Sequence, residues 1–180
     1  MTCIVSLKHK GHVYMGSDSA AVDENNTFLR SDGKIVKKGD FMFAFTGSFR
    51  LIDIIRFSFT PPKHPRGLET REYLCTVFID MLRDCLKDKG HLQYKDGAEE
   101  IDSNVLIGYK KRVFLVDEDL QIGEPHDNYC AIGCAELIAL GAMAALHKTR
   151  KKPRDKILEA LQIASYFDGV IKPPFIIKRL

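Results

Sequence analysis

The amino-acid sequence predicts an α+β fold in which two antiparallel β-sheets stack face to face and a pair of helices covers each outer side. Three observations support this four-layer αββα sandwich. Strands and helices occur in groups, in the order strands, two helices, strands, two helices, strand, which disfavours alternating parallel βαβ units. Short Lys-Gly and Lys-Lys turns join neighbouring strands, as in hairpins. No interior linker divides the 180 residues, so we expect one domain over residues 1–180.

The first strands form two predicted hairpins. Residues 2–8 and 12–16 are apolar-rich runs joined by a Lys-Gly turn, and residues 34–37 and 41–45 flank a Lys-Gly-Asp turn. The last of these runs is Phe-Met-Phe-Ala-Phe, which is apolar at every position. Such a run is typical of a strand that is covered on both faces.

Helical spacing replaces the strand pattern after Gly47. Residues 49–59 form a short, very apolar helix that a Pro-Pro pair stops. Thr70 can cap the next helix, whose apolar residues between 73 and 86 recur at spacings of three and four. Gly90 suits the position just after the end of that helix.

The second half repeats this order. Its predicted strands are residues 104–109, 112–117, 120–123 and 128–132. Two helices follow, at 135–147 and at 154–167, and the second is entered just after a proline. A last strand is predicted at 171–178, where a Pro-Pro pair restricts it to a sheet edge or an irregular start.

The composition excludes several classes of protein. The chain has 27 basic and 24 acidic residues, a net charge of +3, which is too mild to indicate nucleic-acid binding, and no nucleic-acid-binding motif accompanies it. The basic stretch at 148–156 is interpreted as a solvated link between the last two helices, with an electrostatic docking patch as the alternative. No apolar run of about 18 residues exists, so no membrane span is predicted.

The cysteines and the N-terminus indicate a cytoplasmic protein. The number of cysteines is odd and no pair has CxxC spacing, so the sequence predicts neither a disulfide framework nor a zinc site. Reduced thiols are the simpler account. The first ten residues lack the long apolar stretch of a secretory signal peptide. The cysteines are Cys3, Cys75, Cys85, Cys130 and Cys134.

Thr2 is a candidate nucleophile if Met1 is removed. Methionine aminopeptidase tolerates a small second residue, so trimming can leave a threonine with a free α-amine. A hydroxyl is a poor nucleophile at neutral pH, and an amine in the same residue, with an unperturbed pKa of roughly 7.7–8.0, can act as its base. Many intracellular chains begin with Met-Thr, so this feature alone is weak.

Three later residues strengthen the case for Thr2. The opening TCIVSLKHKGHVYMGSDSAA resembles the N-terminus of proteasome β-subunits and of bacterial HslV-type proteins, which belong to the N-terminal-nucleophile (Ntn) hydrolases. Asp18 and Lys34 lie sixteen and thirty-two residues after Thr2, at the spacings of that family's buried acid and site lysine. The Phe-Thr-Gly-Ser segment around Gly47 resembles the family's strand-to-helix turn, whose glycine supplies the oxyanion donor.

The resemblance implies a role for each of these residues. Lys34 would stabilise the developing alkoxide of Thr2, and Asp18 would keep that lysine charged and oriented. The Gly47 N–H would bind the oxyanion. Taken singly, Asp18 can be a turn carboxylate, Lys34 an exposed lysine and Gly47 a residue that only the turn requires. All three at the family spacing from one candidate nucleophile favour the functional interpretation.

The second half resembles the family less closely. The segment at 131–135, Ala-Ile-Gly-Cys-Ala, is similar to a junction that usually contains Gly-Ser-Gly, so Cys134 replaces a serine that helps to relay the proton of the threonine amine. A thiol is a weaker hydrogen-bond partner than a hydroxyl, and no histidine partner is implied for Cys134 as a nucleophile of its own. Ser165 and Asp168 have the spacing of a late Asp and Ser pair with the residue types exchanged. Asp168 either orients the amine or is an ordinary loop acid.

The resemblance as a whole implies the Ntn hydrolase fold and a threonine peptidase of a self-compartmentalising ring. Such a protein assembles with copies of itself, cleaves polypeptides, can work with an ATPase unfoldase and needs no metal or organic cofactor. Two alternatives stay open, a non-catalytic ring subunit that retains Met1 and an Ntn amidohydrolase that acts on a small-molecule amide. The apolar run at 49–59 is a candidate contact with a neighbouring subunit, with core burial as its alternative.

Overall fold

The computed structural model describes residues 1–23 and 26–180. The strands of the first half are β1 (Cys3–His9), β2 (His12–Ser17), β3 (Ala20–Asp23), β4 (Asn26–Leu29), β5 (Ile35–Lys38) and β6 (Phe41–Phe45). Those of the second half are β7 (Gln93–Lys95), β8 (Ala98–Glu100), β9 (Val105–Tyr109), β10 (Arg112–Val116), β11 (Ile122–Gly123), β12 (Tyr129–Gly133) and β13 (Ile176–Arg179). The helices are α1 (Phe49–Asp53), α2 (Thr70–Tyr73), α3 (Ile79–Asp88), α4 (Glu136–Leu146) and α5 (Pro153–Phe167).

Two antiparallel sheets form the centre of the molecule. The first has the strand order β12-β1-β2-β13, and the second has the order β11-β10-β9-β6-β5. The predicted hairpins β1–β2, β5–β6 and β9–β10 all form, with the registers that their short turns allow. Helices α4 and α5 cover the first sheet, and α1 to α3 cover the second. The predicted αββα sandwich is therefore confirmed.

Side-chain alternation in β6 explains why this strand is apolar throughout. Phe41, Phe43 and Phe45 belong to the core under the first group of helices, whereas Met42 and Ala44 belong to the core between the two sheets. All five side chains are buried. A strand with a helix layer on one face and a second sheet on the other has no solvent-facing position, so every residue contributes apolar burial.

β1 is covered in the same way. Cys3, Val5 and Leu7 face α4 and α5, and Ile4 lies between the sheets. On the neighbouring β2, Gly16 allows α5 to approach closely, because a Cβ atom at this position would lie 2.3 Å from Ile157 Cγ2. These contacts fix the start of the chain between two packed layers.

The helices of the first half lie where they are predicted, but their turns and one cap differ from the prediction. The apolar helix at 49–59 is α1 followed by a π-helical turn, Ile54–Ser58. Glu69, not Thr70, caps the next helix, since its carboxylate accepts from the N–H groups of Arg71 and Glu72. Another π-helical turn, Leu74–Phe78, joins α2 to α3. The prediction that Gly90 follows the end of α3 is confirmed, since Gly90 comes directly after the C-cap Lys89 and has a φ of 63°.

The last strand starts later than predicted, at Ile176. The residues before it are held instead by Ser19, whose N–H donates to the Lys172 carbonyl and whose Oγ donates to the Pro174 carbonyl. The basic stretch at 148–156 is also only partly a solvated link. Lys156 is 3% exposed and its Nζ donates to the His147 carbonyl at the end of α4, a favourable place for a cation.

The hairpins β3–β4 and β7–β8 were not predicted. Both are short and carry many exposed or polar side chains, so their sequences lack the alternation that marks a half-buried strand. Across residues 1–23 and 26–180 no helix has the length and apolar character needed to cross a membrane.

The packing of α5 on β2 gives a stability prediction. Gly16→Ala is expected to lower the free energy of unfolding by about 1–3 kcal/mol, because the added methyl overpacks the contact with Ile157. Gly141→Ala is the control. It lies in α4 with open space around it, so it should leave stability unchanged or raise it by about 0.5–1 kcal/mol. Urea denaturation measures both, and equal midpoints for the two variants would contradict the packing.

Candidate active site

A buried ion pair lies between the two sheets at the end nearest the N-terminus. Lys34 Nζ donates to Asp18 Oδ1 over 2.7 Å, and the side chains are 2% and 0% exposed. Asp18 immediately follows β2, and Lys34 immediately precedes β5. Each sheet therefore contributes one partner, so the pair exists only when the two sheets are stacked.

The Asp18 carboxylate also organises the neighbouring backbone. Its Oδ1 accepts from the Cys3 N–H over 3.1 Å, and its Oδ2 accepts from the Ala20 N–H over 3.0 Å. The Asp18 N–H returns a bond to the Cys3 carbonyl over 3.3 Å. Because Cys3 is bonded to Thr2, these contacts hold the candidate nucleophile beside the ion pair.

Thr2 is itself buried, at 5% exposure. Its carbonyl accepts from the Cys134 N–H over 3.0 Å. Gly133 permits this approach, since its φ is 107° and a Cβ atom there would lie 2.0 Å from the Thr2 carbonyl oxygen. In the chain that carries Met1, the Thr2 nitrogen is an amide and the Thr2 Oγ1 donates to the Met1 carbonyl over 2.7 Å.

The turn after β6 lies against the same place. Gly47 has a φ of 75°, and a Cβ atom on it would lie 2.1 Å from the Asp102 carbonyl oxygen, so no other residue fits without strain. A Cβ atom on Gly133 would lie 3.3 Å from Thr46 Cγ2. Because the same position on Gly133 lies against the Thr2 carbonyl, the end of β6 is close to Thr2. Among the hydrogen bonds of residues 1–23 and 26–180, none uses the Gly47 N–H.

Cys134 lies against Thr2, and Asp168 lies beside Cys134. The Cys134 Sγ donates to the Thr2 carbonyl over 3.5 Å. Burial raises the pKa of the Cys134 thiol, and the nearby Asp168 carboxylate raises it further. The thiol is therefore protonated at neutral pH, which disfavours Cys134 as a nucleophile of its own. Ser165 is directed elsewhere, since its Oγ donates to the Ile171 carbonyl over 2.6 Å.

Burial shapes the electrostatics of the site. It lowers the pKa of the Lys34 ammonium, while the Asp18 carboxylate opposes that shift. It also raises the pKa of the Cys3 thiol to about 12, with Asp18 adding to the effect. Lys34 is thus a buried cation with a lowered pKa, which makes it a strong hydrogen-bond donor to any negative charge that develops nearby.

Several residues at the site were not predicted from the sequence. Thr46 N–H donates to the Asn104 carbonyl over 3.0 Å, and the Asn104 N–H donates to Thr46 Oγ1 over 3.1 Å. Ser103, 2% exposed, accepts from the Ser48 N–H over 3.1 Å. Nothing local in the sequence marks residues 103 and 104, because their partners lie more than fifty positions away. In the described part of the chain, no three His, Cys, Asp or Glu side chains converge as a metal-ligand set.

Sequence comparison identifies relatives that align with most of the chain. The ATP-dependent protease subunit HslV of Caldicellulosiruptor saccharolyticus is 25% identical over 169 residues, covering 91% of this chain and 89% of that protein. HslV of Thermosipho africanus is 26% identical over 172 residues, with the same coverage. The chain is thus similar to HslV subunits along most of its length. No family model matches this HslV-like chain.

Solved structures agree with this assignment at the level of the fold. BPH of Thiobacillus denitrificans superimposes with a TM-score of 0.82 at 22% identity, over 99% of this chain and 97% of that one. Its complex with epoxomicin gives a TM-score of 0.81. HslV of Trypanosoma brucei gives 0.70 at 18% identity, over 99% of each chain. A ferrichrome siderophore peptide synthetase of Schizosaccharomyces pombe is 28% identical over 120 residues, but the chain spans only 2% of that protein.

The buried ion pair gives a second stability prediction. Lys34→Met is expected to lower the free energy of unfolding by about 3–5 kcal/mol, because it leaves the Asp18 carboxylate buried without a counter-ion. Adding Asp18→Asn to that variant should cost less than the sum of the single changes, since the unpaired charge is removed. Lys37→Met, at an exposed position of β5, is the control and should change stability by less than about 0.5 kcal/mol. Additive losses in urea unfolding would show that the pair is not coupled.

Proposed function

We propose that this HslV-like chain is a threonine-type peptidase whose nucleophile is Thr2 after removal of Met1. The observation that carries the proposal is the Asp18–Lys34 pair, which is buried between the sheets and bonded to the backbone of Cys3. A buried pair of this kind costs desolvation energy, and here it binds the backbone of the residue next to Thr2. The names of the two bacterial relatives, ATP-dependent protease subunits, support the same reaction class.

In the first step, the Thr2 Oγ attacks the carbonyl carbon of a substrate peptide bond. The free α-amine of Thr2 accepts the hydroxyl proton, because its unperturbed pKa of roughly 7.7–8.0 suits a base near neutral pH. The Lys34 ammonium stabilises the negative charge that develops on Oγ, and Asp18 keeps that ammonium oriented.

In the following steps, the Gly47 N–H donates to the tetrahedral oxyanion. The α-ammonium returns the proton to the leaving amine, and the C–N bond breaks to leave an ester on Thr2. Water then attacks the ester carbon, and the α-amine accepts the water proton. The bond from the acyl carbon to Thr2 Oγ breaks, the α-ammonium returns its proton to Oγ, and the carboxylic acid product departs with Thr2 regenerated. Cys134, which lies against Thr2, and Asp168, which lies beside Cys134, orient the α-amine. No step requires a metal or an organic cofactor.

The assembly and location of the protein are part of the same proposal. Residues 1–180 act as one Ntn hydrolase domain, which forms a homo-oligomeric ring in the cytoplasm and receives polypeptides, with an ATPase unfoldase as its partner. Large apolar side chains at the surface support an interface between copies. These are Phe57, 76% exposed and within the apolar stretch at 49–59, and Leu137, Tyr166 and Phe167, which are 77%, 84% and 69% exposed.

A non-catalytic ring subunit is the second candidate. The observation that favours it is Cys134, whose thiol lies against Thr2 where the resemblance implies a serine and is a weaker hydrogen-bond partner than a hydroxyl. A chain that keeps Met1 has no amine base at Thr2. Removal of Met1 is therefore the event that separates the two functions.

Peptidase activity is expected only in chains that begin at Thr2. Intact-mass analysis should give the mass without Met1, and Thr2→Ala should lower peptide hydrolysis by at least about 100-fold because the nucleophile is lost. Thr2→Ser is the matched control, since it keeps the hydroxyl and the amine and should retain measurable activity. Retention of Met1 in a purified protein that forms rings, or activity that survives Thr2→Ala, would favour the other candidate.

Ring formation is tested separately by native mass spectrometry. The proposal predicts a closed oligomer at micromolar concentration, and Phe57→Asp should shift it towards monomer because a charge then lies in an apolar contact. Lys63→Asp, at an exposed position outside the helices, serves as the charged-surface control. A wild-type chain that stays monomeric at this concentration would contradict the ring.

A further inference from the structure

The turn that carries Gly47 is held from behind by a segment of the chain that the proposed mechanism does not use. Residues 101–104 lead into β9, next to the end of β6. Ile101 anchors this segment, because its N–H donates to the Glu118 carbonyl over 2.8 Å and its side chain is 1% exposed. The segment is thus fixed to the second sheet before it reaches the turn.

Backbone bonds on one side of Gly47 determine the position of Thr46. The Thr46 N–H donates to the Asn104 carbonyl, and the Asn104 N–H donates to Thr46 Oγ1. The Thr46 Oγ1 also lies 3.3 Å from the Asn104 carbonyl oxygen. Thr46 is 8% exposed. The residue before the candidate oxyanion donor therefore has little freedom to move.

A side-chain bond holds the other side of the turn. The Ser103 Oγ accepts from the Ser48 N–H over 3.1 Å and donates to Asp102 Oδ1 over 3.2 Å. Because this hydroxyl occupies the Ser48 N–H, the Gly47 N–H is the donor that the turn leaves for a ligand. On the far side of Asp102, His91 Nε2 lies 3.6 Å from the same carboxylate oxygen.

Close packing removes the remaining freedom of the turn. A Cβ atom on Gly47 would lie 2.1 Å from the Asp102 carbonyl oxygen and 2.6 Å from Ser103 Oγ. The face of the Gly47 Cα that would carry a side chain thus lies directly on residues 102 and 103. A hydrogen-bond donor to an oxyanion is effective only when it is fixed before the charge appears, and a displacement of about 1 Å can cost on the order of 100-fold in rate.

We infer that Ser103, oriented by Asp102, is a positioning residue that fixes the Gly47 N–H for the oxyanion of the transition state. This inference rests on the proposed peptidase function. Neither side chain touches the reacting atoms, since Ser103 acts through the Ser48 N–H and Asp102 acts through Ser103. A positioning role differs from a purely structural contact in its kinetic effect. Loss of the Ser103 hydroxyl raises the free energy of the transition state more than that of the bound substrate, so kcat falls while KM changes little.

The test compares variants of the processed chain in peptide hydrolysis. Ser103→Ala is expected to lower kcat by about 10–100-fold with KM within about twofold of the wild-type value. Asp102→Ala should lower kcat by a smaller factor, and Asp102→Asn, which keeps an acceptor oxygen, should restore it. Ser48→Ala is the matched control, because it removes a helix cap on the same turn while the N–H of residue 48 stays bonded to Ser103.

Amide hydrogen exchange of the peptide that contains residues 46–48 separates this inference from the peptidase proposal. Ser103→Ala should speed exchange of the Ser48 N–H, and Ser48→Ala should leave residue 48 protected. If the wild-type chain hydrolyses peptides and Ser103→Ala keeps its kcat, the inference is overturned. If neither the wild-type chain nor any variant hydrolyses peptides, the proposed function fails. Unchanged exchange in Ser103→Ala would then overturn the positioning role as well, whereas faster exchange would support that role.

Discussion

The Asp18–Lys34 pair is the interaction on which the rest of the site depends. It joins the end of a strand in one sheet to the beginning of a strand in the other, and both side chains are almost completely buried. Two charges in such a place are stable only together. The pair therefore links stacking of the sheets to the position of Thr2, because the same carboxylate accepts the Cys3 N–H. The candidate site therefore forms only when the two sheets fold against each other.

Two glycines allow the backbone to meet around Thr2. Gly133 brings β12 against the Thr2 carbonyl, and Gly47 brings the turn after β6 against residues 102 and 103. Both have positive φ values, so a side chain would be strained there as well as crowded. The ion pair supplies the charge of the site, and these glycines supply the close approach that a fixed N–H donor requires.

The sequence predicts much of this arrangement because its strongest signals are local. Three features are visible in the sequence without knowledge of the fold. They are the apolar run of β6, the hairpin turns, and the spacing of Asp18 and Lys34 from Thr2. Lys156 and Ser103 show where such reading fails. The burial of Lys156 depends on the end of α4, and the bond from the Ser48 N–H to Ser103 spans 55 positions. The predicted cap at Thr70 was wrong for a different reason. Threonine is a commoner capping residue than glutamate, and only the structure shows that the Glu69 carboxylate reaches the free N–H groups.

The central claim is that Thr2, and not Cys134, forms the covalent intermediate. Both lie at one place, since the Cys134 Sγ contacts the Thr2 carbonyl. The most direct measurement is acid quenching of the processed chain during turnover of a slow activated ester, followed by peptide mapping with tandem mass spectrometry. We expect one acyl group on the Oγ of Thr2. An acyl group on Cys134, or a processed chain that accumulates none while it turns over the ester, would contradict it.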